Sequence, residues 1–330
     1  MCALLFMCAL LFMCALPATW TAKEGQAEIR RAGTGTCPYG GFVGYNFPMP
    51  ATASPKKPAA PKKPRKPEFS PTRLRTFLSC PMMYRLDYVD KIGKFYHRAR
   101  AGFTFGSTLH QALQTFHQDG GSAAVSAPEL VAKMETVWQS QGYESAAHEA
   151  EHKVEAARIL ETYHAASEAR AEETRPFLIE KMLKWDMGPF VLTGRIDRID
   201  EHLSDGSLEI VDYKSGRMGV TEADVKSALA MSVYQLLTKR NNPDRRVYAT
   251  IHALRGGVTA SSSYTDEELL ALEEDLRGIG ITILEKDFEA VRPVPLPDVC
   301  PWCDFLPLCT RAWKREGRDY VAELALEIPE

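Results

Sequence analysis

Apolar residues recur with a helical period through the first part of the ordered chain, with a strand-like period through the middle, and with a helical period again towards the end. Ser70-Pro71 offers an N-cap followed by proline at the first helical position, and Leu74, Phe77 and Leu78 follow at helical spacing. A second helix is predicted over Gly106–Gln118, where Leu109, Ala112, Leu113 and Phe116 fall at i, i+3, i+4 and i+7. Residues 129–173 are rich in Ala and Glu and read as one long helix or two. Strand-like runs then cover Phe177–Leu183, Phe190–Asp200 and Leu208–Tyr213, separated by the turn signals Asp186-Met187-Gly188 and Asp205-Gly206. Residues 221–240 return to a helical pattern, and Arg246–Ala253 reads as a further strand. Residues 265–289 read as a helix opened by the capping box Thr265-x-x-Glu268. This order predicts an α/β protein: a mixed central sheet flanked by helices, with a helical insertion ahead of it.

Charge changes the picture at the N-terminus. Residues 1–67 carry nine Lys/Arg against two Asp/Glu, leaving 31 against 41 for the remainder. The body is therefore acidic, and any contact with nucleic acid is confined to a local patch or cleft. Residues 50–67, PATASPKKPAAPKKPRKP, form a Pro/Lys-rich linker that reads as a solvated tail or an electrostatic tether. The first eighteen residues repeat MCALLF, MCALLF, MCALPA. They lack the basic n-region of an export signal and read as low-complexity sequence rather than as a signal or a membrane span. The expected organisation is a low-complexity segment and linker over 1–67, one domain over 68–312 and a tail over 313–330.

The candidate chemistry lies in Gly194-Arg195-Ile196-Asp197-Arg198-Ile199-Asp200 and Glu209-Ile210-Val211-Asp212-Tyr213-Lys214-Ser215-Gly216. Period two puts Asp212 and Lys214 on one face of a strand, and Asp197 sits on the neighbouring strand across a short turn. Two carboxylates and a lysine then converge. Magnesium takes oxygen ligands and keeps several waters, which suits phosphate chemistry. A lysine beside it orients a water or stabilises developing negative charge. An isolated Asp-x-Lys arises by chance, and its ordinary reading is a solvated strand end; the apolar run into Asp-Tyr-Lys-Ser-Gly, preceded by Gly-x-Ile-Asp, is much rarer.

Eight cysteines fall into two groups. Cys2, Cys8, Cys14 and Cys37 lie in the N-terminal region and carry no assigned role. Cys300-Pro-Trp-Cys303 is followed by Cys309, and Cys80 lies far upstream. Such a pattern reads as a metal site before a disulfide, and four thiolates hold either zinc or a [4Fe–4S] cluster; spacing alone does not separate them.

These motifs resemble the RecB/AddB-type branch of the PD-(D/E)xK nucleases, which includes CRISPR-associated adaptation nucleases with a cysteine cluster. The resemblance covers roughly residues 68–312 and implies a restriction-endonuclease-like core. It implies that Asp197, Asp212 and Lys214 form the catalytic site with Mg2+ or Mn2+. It makes His110, in Phe105-Gly106-Ser107-Thr108-Leu109-His110, a further metal ligand, and Glu180, in Leu178-Ile179-Glu180, the upstream glutamate. It also implies that Cys80, Cys300, Cys303 and Cys309 hold a [4Fe–4S] cluster stapling the two ends of the domain. One departure stands out. The family places a Gln-x-x-x-Tyr motif on the helix after the lysine; here Tyr234 is present and Ala230 stands in the glutamine position.

The implied activity is hydrolysis of DNA, as an exonuclease on single strands or duplex ends in repair or recombination. A helicase partner or a role in CRISPR adaptation are the alternatives, and an inactive, cluster-stabilised DNA-binding module is the reading from another class. The chain has no Gly-x-x-x-x-Gly-Lys-Ser/Thr loop, so it is not itself an ATP-driven motor. The expected location is cytoplasmic, with no membrane contact.

Overall fold

The computed structural model describes residues 65–318. The N-terminal repeat, the cysteines Cys2, Cys8, Cys14 and Cys37, nearly all of the Pro/Lys-rich linker and residues 319–330 lie outside the described residues. Strand β1 (Glu68–Phe69) leads into helix α1 (Pro71–Ser79), where the Ser70 side chain accepts a hydrogen bond from the Arg73 amide. The short α2 (Pro81–Tyr84) follows directly. The expected helix at 106–118 starts earlier, as α3 (Ala101–Gln118). The Ala/Glu-rich stretch divides into α4 (Ala127–Thr136), opened by a Ser126/Glu129 capping box, and α5 (Ala146–Arg170).

The strand meander runs longer than its apolar cores. It comprises β2 (Thr174–Asp186), β3 (Val191–His202) and β4 (Leu208–Lys214), because cross-strand pairing carries the ladder into polar residues at each end. Residues 221–240 break at Ala228 into α6 (Glu222–Ser227) and α7 (Leu229–Asn241). Strands β5 (Val247–Ala253) and β6 (Val258–Ser262) precede α8 (Asp266–Glu285), and α9 (Leu306–Arg315) closes the described chain. Strand β1 is too short, and β6 too polar and exposed, to announce themselves by period. In α9, Trp313 is fully buried and its indole donates to the Pro293 carbonyl at 2.8 Å, so folded structure continues past residue 312.

The six strands form one mixed sheet. Strand β3 pairs antiparallel with β2 on one edge and, on the other, with β1 in parallel and β4 antiparallel; β4 and β5 are parallel, and β5 and β6 antiparallel. Alternate β4 residues feed two separate cores, as period two requires. Leu208 and Ile210 join α1, α7 and α8, whereas Val211 and Tyr213 join α3, α4 and α5. The result is a mixed sheet between two helical layers, consistent with a restriction-endonuclease-like core.

The second face also buries charge. Arg198 is almost fully enclosed and pairs with Asp200 at 2.8 Å. Its guanidinium donates to the Tyr163 hydroxyl at 2.6 Å and to His117, and Tyr163 bonds Tyr213 at 2.9 Å between hydroxyls. This network joins α3 and α5 to the sheet. Burial, followed by the charges of Arg198 and Arg170, lowers the nearby His252 to about 3, and burial with Arg198 lowers His117 as well. Both rings stay neutral in the fold but protonate in the unfolded chain below about pH 6.5. Unfolding therefore takes up protons, and stability falls as pH drops from about 6.5 towards 3. Replacing His252 with Asn should make the loss shallower, by up to about 1.4 kcal/mol per pH unit. Urea titrations between about pH 4.5 and 6.5 measure this, and a slope equal to wild type would contradict it.

Candidate active site

Strand register places the candidate carboxylates in one row. The ladder between β2 and β3 runs Ile179 to Arg198 and Lys181 to Ile196, so Glu180 faces Asp197. The ladder between β3 and β4 ends at Arg198 and Val211, and the next step sets Asp212 opposite Asp197. Glu180, Asp197 and Asp212 thus occupy equivalent positions on three adjacent strands. Lys214 lies two residues beyond Asp212 on the same face.

Glu180 adopts φ +49°, a left-handed conformation that is uncommon for a residue with a side chain. It falls at the one position between Leu178 and Asp186 where β2 has no pairing partner on β3. Such a conformation costs about 1 kcal/mol, and strain of this kind concentrates at functional sites. Its carboxylate meets Arg195 Nε at 2.6 Å. Among the described residues, the group of three potential metal ligands whose donor atoms all lie within 4.8 Å of one another is His110, Glu180 and Asp197.

His110 comes from α3, on the border of the apolar face formed by Leu109, Ala112, Leu113 and Phe116. A Cβ on Gly106 would lie 2.8 Å from Ser215 Oγ, so the glycine lets this helix approach the end of β4 closely. His110 Nε2 donates to the Tyr213 carbonyl at 2.9 Å, which turns Nδ1 towards Asp197 Oδ2 at 3.2 Å. In the neutral ring Nδ1 is a lone pair facing a carboxylate, and that arrangement calls for a proton or a cation between the two. Burial works against the charged ring. The hydrogen bond and charge of Asp197, with the charge of Asp212, outweigh it and hold His110 above its ordinary value.

The carboxylates feel one another. Burial, joined by the charge of Asp197, pushes Glu180 up against the pull of Arg195. Burial, again with Asp197, pushes Asp212 up against Lys214 and His110. Asp212 Oδ2 is buried and accepts no well-directed hydrogen bond; Lys214 Nζ lies 2.6 Å from it as an ion pair. The Asp197 carboxylate accepts from the Tyr213 amide at 3.2 Å. Tyr234 of α7 stands close enough that burial and then Asp212, Asp197 and Glu180 all raise its hydroxyl. Gly194 permits this approach, since a Cβ there would lie 2.7 Å from Leu237 and 2.9 Å from Tyr234. The role of Gly194 in seating α7 is invisible in the sequence without knowledge of which helix crosses it. Asp200, the second aspartate of the Arg-Ile-Asp repeat, goes instead to Arg198 on the opposite face.

Three acidic side chains and an imidazole lone pair fit a hard divalent cation. When bound, such an ion supplies an activated water and shields phosphate charge. The chain's own residues do the rest: Asp197 sits centrally, His110 is oriented by the Tyr213 carbonyl, and Lys214, half exposed, presents its ammonium beside Asp212.

The four body cysteines form no disulfide. Cys80 lies between α1 and α2, and its sulfur accepts from the Met83 amide at 3.4 Å; Cys300 Sγ accepts from the Leu296 amide at 3.3 Å. Burial, with Cys303, Cys80 and Cys300 adding to it, pushes the Cys309 thiol up to about 12. Burial raises Cys303 too, with Cys80 and Cys300 contributing. Cys80 thus lies near enough to Cys303 and Cys309 to add to the upward push on both. No three of these sulfurs lie within the 4.8 Å that joins His110, Glu180 and Asp197.

A mixed sheet between helical layers carries acidic residues that converge where its central strands part, with donor atoms close enough to share one metal ion. A family model of the PD-(D/E)XK nuclease superfamily matches residues 68–310, and the chain belongs to that superfamily. Membership implies a metal-dependent nuclease. No curated protein matches the chain. Among solved structures, one described as "Crystal structure of SSO0001" is 10% identical, with 67% of this chain and 92% of that chain covered at a TM-score of 0.29. Among the described residues no helix is long and apolar enough to cross a membrane.

The strain at Glu180 yields a test. Asn tolerates left-handed backbone, and the exposed Arg195 pair is worth little. Glu180→Asn should therefore melt no lower than wild type in chelator, while Mn2+ affinity falls by about ten-fold or more, as it does when ligand-orienting residues are lost. Calorimetric titration with Mn2+ and melting in EDTA check both halves; unchanged affinity would remove Glu180 from the site.

Proposed function

We propose that this chain is a RecB/AddB-type exonuclease that hydrolyses phosphodiester bonds in DNA, acting on single strands or duplex ends during repair or recombination. The observation that carries the reading is the row Glu180–Asp197–Asp212, flanked by His110 and Lys214. Asp197, Asp212 and His110 hold Mg2+ or Mn2+, Glu180 completes the acidic row, and Lys214 positions the attacking water or stabilises the charge that develops on the phosphate. The nuclease domain begins at residue 68 and takes in α9, and work beside a helicase subunit that supplies unwound strands is the alternative setting. The chain works in the cytoplasm. The finer assignment is supported by the Gly-x-Ile-Asp and Asp-x-Lys motifs together with the cysteine arrangement.

Lys214→Ala and Asp212→Asn should each slow cutting of end-labelled DNA by about a hundred-fold or more while leaving circular dichroism unchanged. EDTA should have the same effect. Normal cutting by Lys214→Ala would refute its role.

Cys80, Cys300, Cys303 and Cys309 are proposed to hold a [4Fe–4S] cluster. The support is the donor set, and the influence of Cys80 on Cys303 and Cys309 across the fold. Joining chain ends so distant restricts the unfolded state, so the cluster acts chiefly on stability. Anaerobically purified protein should be brown with about four irons per chain. Each Cys→Ser change should bleach it and lower the melting temperature. Colourless protein with one zinc, or with no metal, would overturn the iron assignment.

A further inference from the structure

The acidic body carries one basic run interleaved with aromatics. Residues 91–103, Lys-Ile-Gly-Lys-Phe-Tyr-His-Arg-Ala-Arg-Ala-Gly-Phe, contain Lys91, Lys94, Arg98 and Arg100 and no acidic residue. Large rings stand in solvent here: Phe95 is 73% exposed and Phe103 69%, and Trp302, in the Cys300–Cys303 turn, is 79% exposed. Leaving such rings in water forfeits about 2 kcal/mol apiece relative to burial, and nothing in the cores requires it. Arg100 brings two of them together. Its guanidinium lies 5.8 Å from the Phe103 ring centre and donates to the Trp302 carbonyl at 3.3 Å, while Asp304 holds it at 2.6 Å. Lys94 Nζ stands 4.8 Å from the Phe95 ring centre. The side chains of Lys91, Lys94 and Arg98 pair with no carboxylate among the described residues.

The position of this patch matters as much as its composition. Phe103 and His110 both lie on α3, seven residues apart. Seven residues are almost two full turns, so both project from the same side of the helix, about 10 Å apart along its axis. Phe103 therefore stands on the helix face that carries the metal-site histidine, with Trp302 beside it through Arg100.

We propose that Phe103 and Trp302, with Arg100 between them and Lys94, Phe95 and Arg98 beside them, form a stacking platform for single-stranded nucleic acid leading to the carboxylate row. Exposed rings stack on bases without regard to sequence, and unpaired cations follow the phosphates. Charge decides the occupant: an apolar protein partner would leave three cations uncompensated, whereas a polyanion neutralises them. The platform rests on the reading of the chain as a nuclease and adds that its substrate arrives as an unpaired strand.

The test uses the full chain and a fluorescein-labelled oligo(dT), with EDTA present so that binding is read without cutting. Phe103→Ala should weaken binding by about ten-fold, and Phe103→Ala with Trp302→Ala further still. Trp302→Phe should bind as wild type yet lose the quenching of tryptophan fluorescence that oligo(dT) causes, since a phenyl ring still stacks. Because Phe103 is exposed, lies outside both cores and belongs to α3 rather than to the Cys300–Cys303 turn, its variant removes a stacking ring without altering the turn's own residues. Wild-type affinity in Phe103→Ala and in the double variant would overturn the platform. Failure of the nuclease reading is separately visible: a wild-type chain that quenches and binds oligo(dT) but cuts no DNA with Mn2+ keeps the platform and loses the nuclease.

Discussion

Two groups that both want a positive charge between them, His110 Nδ1 and Asp197 Oδ2, face each other at 3.2 Å. The Tyr213 carbonyl holds the other ring nitrogen, so the imidazole cannot turn away to relieve the contact. Around this pair the register of β2, β3 and β4 adds Glu180 and Asp212, and each added carboxylate raises the cost of leaving the row without a cation. Burial pushes Glu180 and Asp212 up first and the charge of Asp197 adds to both, while the charges of Asp197 and Asp212 hold His110 up against its own burial. A divalent ion relieves all three at once, which a proton on any single group does not.

The rest of the fold keeps that row in place. The strain at Glu180 interrupts the β2–β3 ladder at Asp197, and β3 and β4 part at the same level, so the carboxylates stand where backbone pairing is missing on both sides. On the opposite face, Arg198 is locked by Asp200, Tyr163 and His117, one residue from Asp197, and Tyr213, whose carbonyl orients His110, belongs to the same network. Breaking a buried pair of this kind costs about 3–5 kcal/mol. The second-face network and the site residues thus share the same two strands, β3 and β4. Gly106 and Gly194 complete the frame by letting α3 and α7 close on the strands from either side.

Much of this was legible in the sequence. Period two made Asp212 and Lys214 neighbours, and the Gly-x-Ile-Asp run marked Asp197 as their partner across the turn. The cores of β2, β3, β4 and β5 followed from their apolar runs, and α1 and α8 from their caps. What escaped depends on long-range pairing. Strand β6 is mostly polar and exists because it pairs with β5; β1 has two residues. The left-handed conformation of Glu180 has no local signal, since the sequence places neither glycine nor asparagine there. The role of Arg198 on the far side of the sheet has no signal in the run Gly194–Asp200, because its partners Tyr163 and His117 come from distant helices. Tyr234, although the glutamine expected four residues before it is Ala230, still reaches the carboxylates because Gly194 leaves room.

The central claim is that Asp197 is the shared ligand of a single divalent ion. Anomalous diffraction from crystals soaked in Mn2+ addresses it directly. The account predicts one strong peak within about 2.3 Å of His110 Nδ1 and an Asp197 oxygen, with a further oxygen from Glu180 or Asp212 in the shell. A peak that leaves Asp197 unligated, or no peak among these residues at saturating Mn2+, would contradict it.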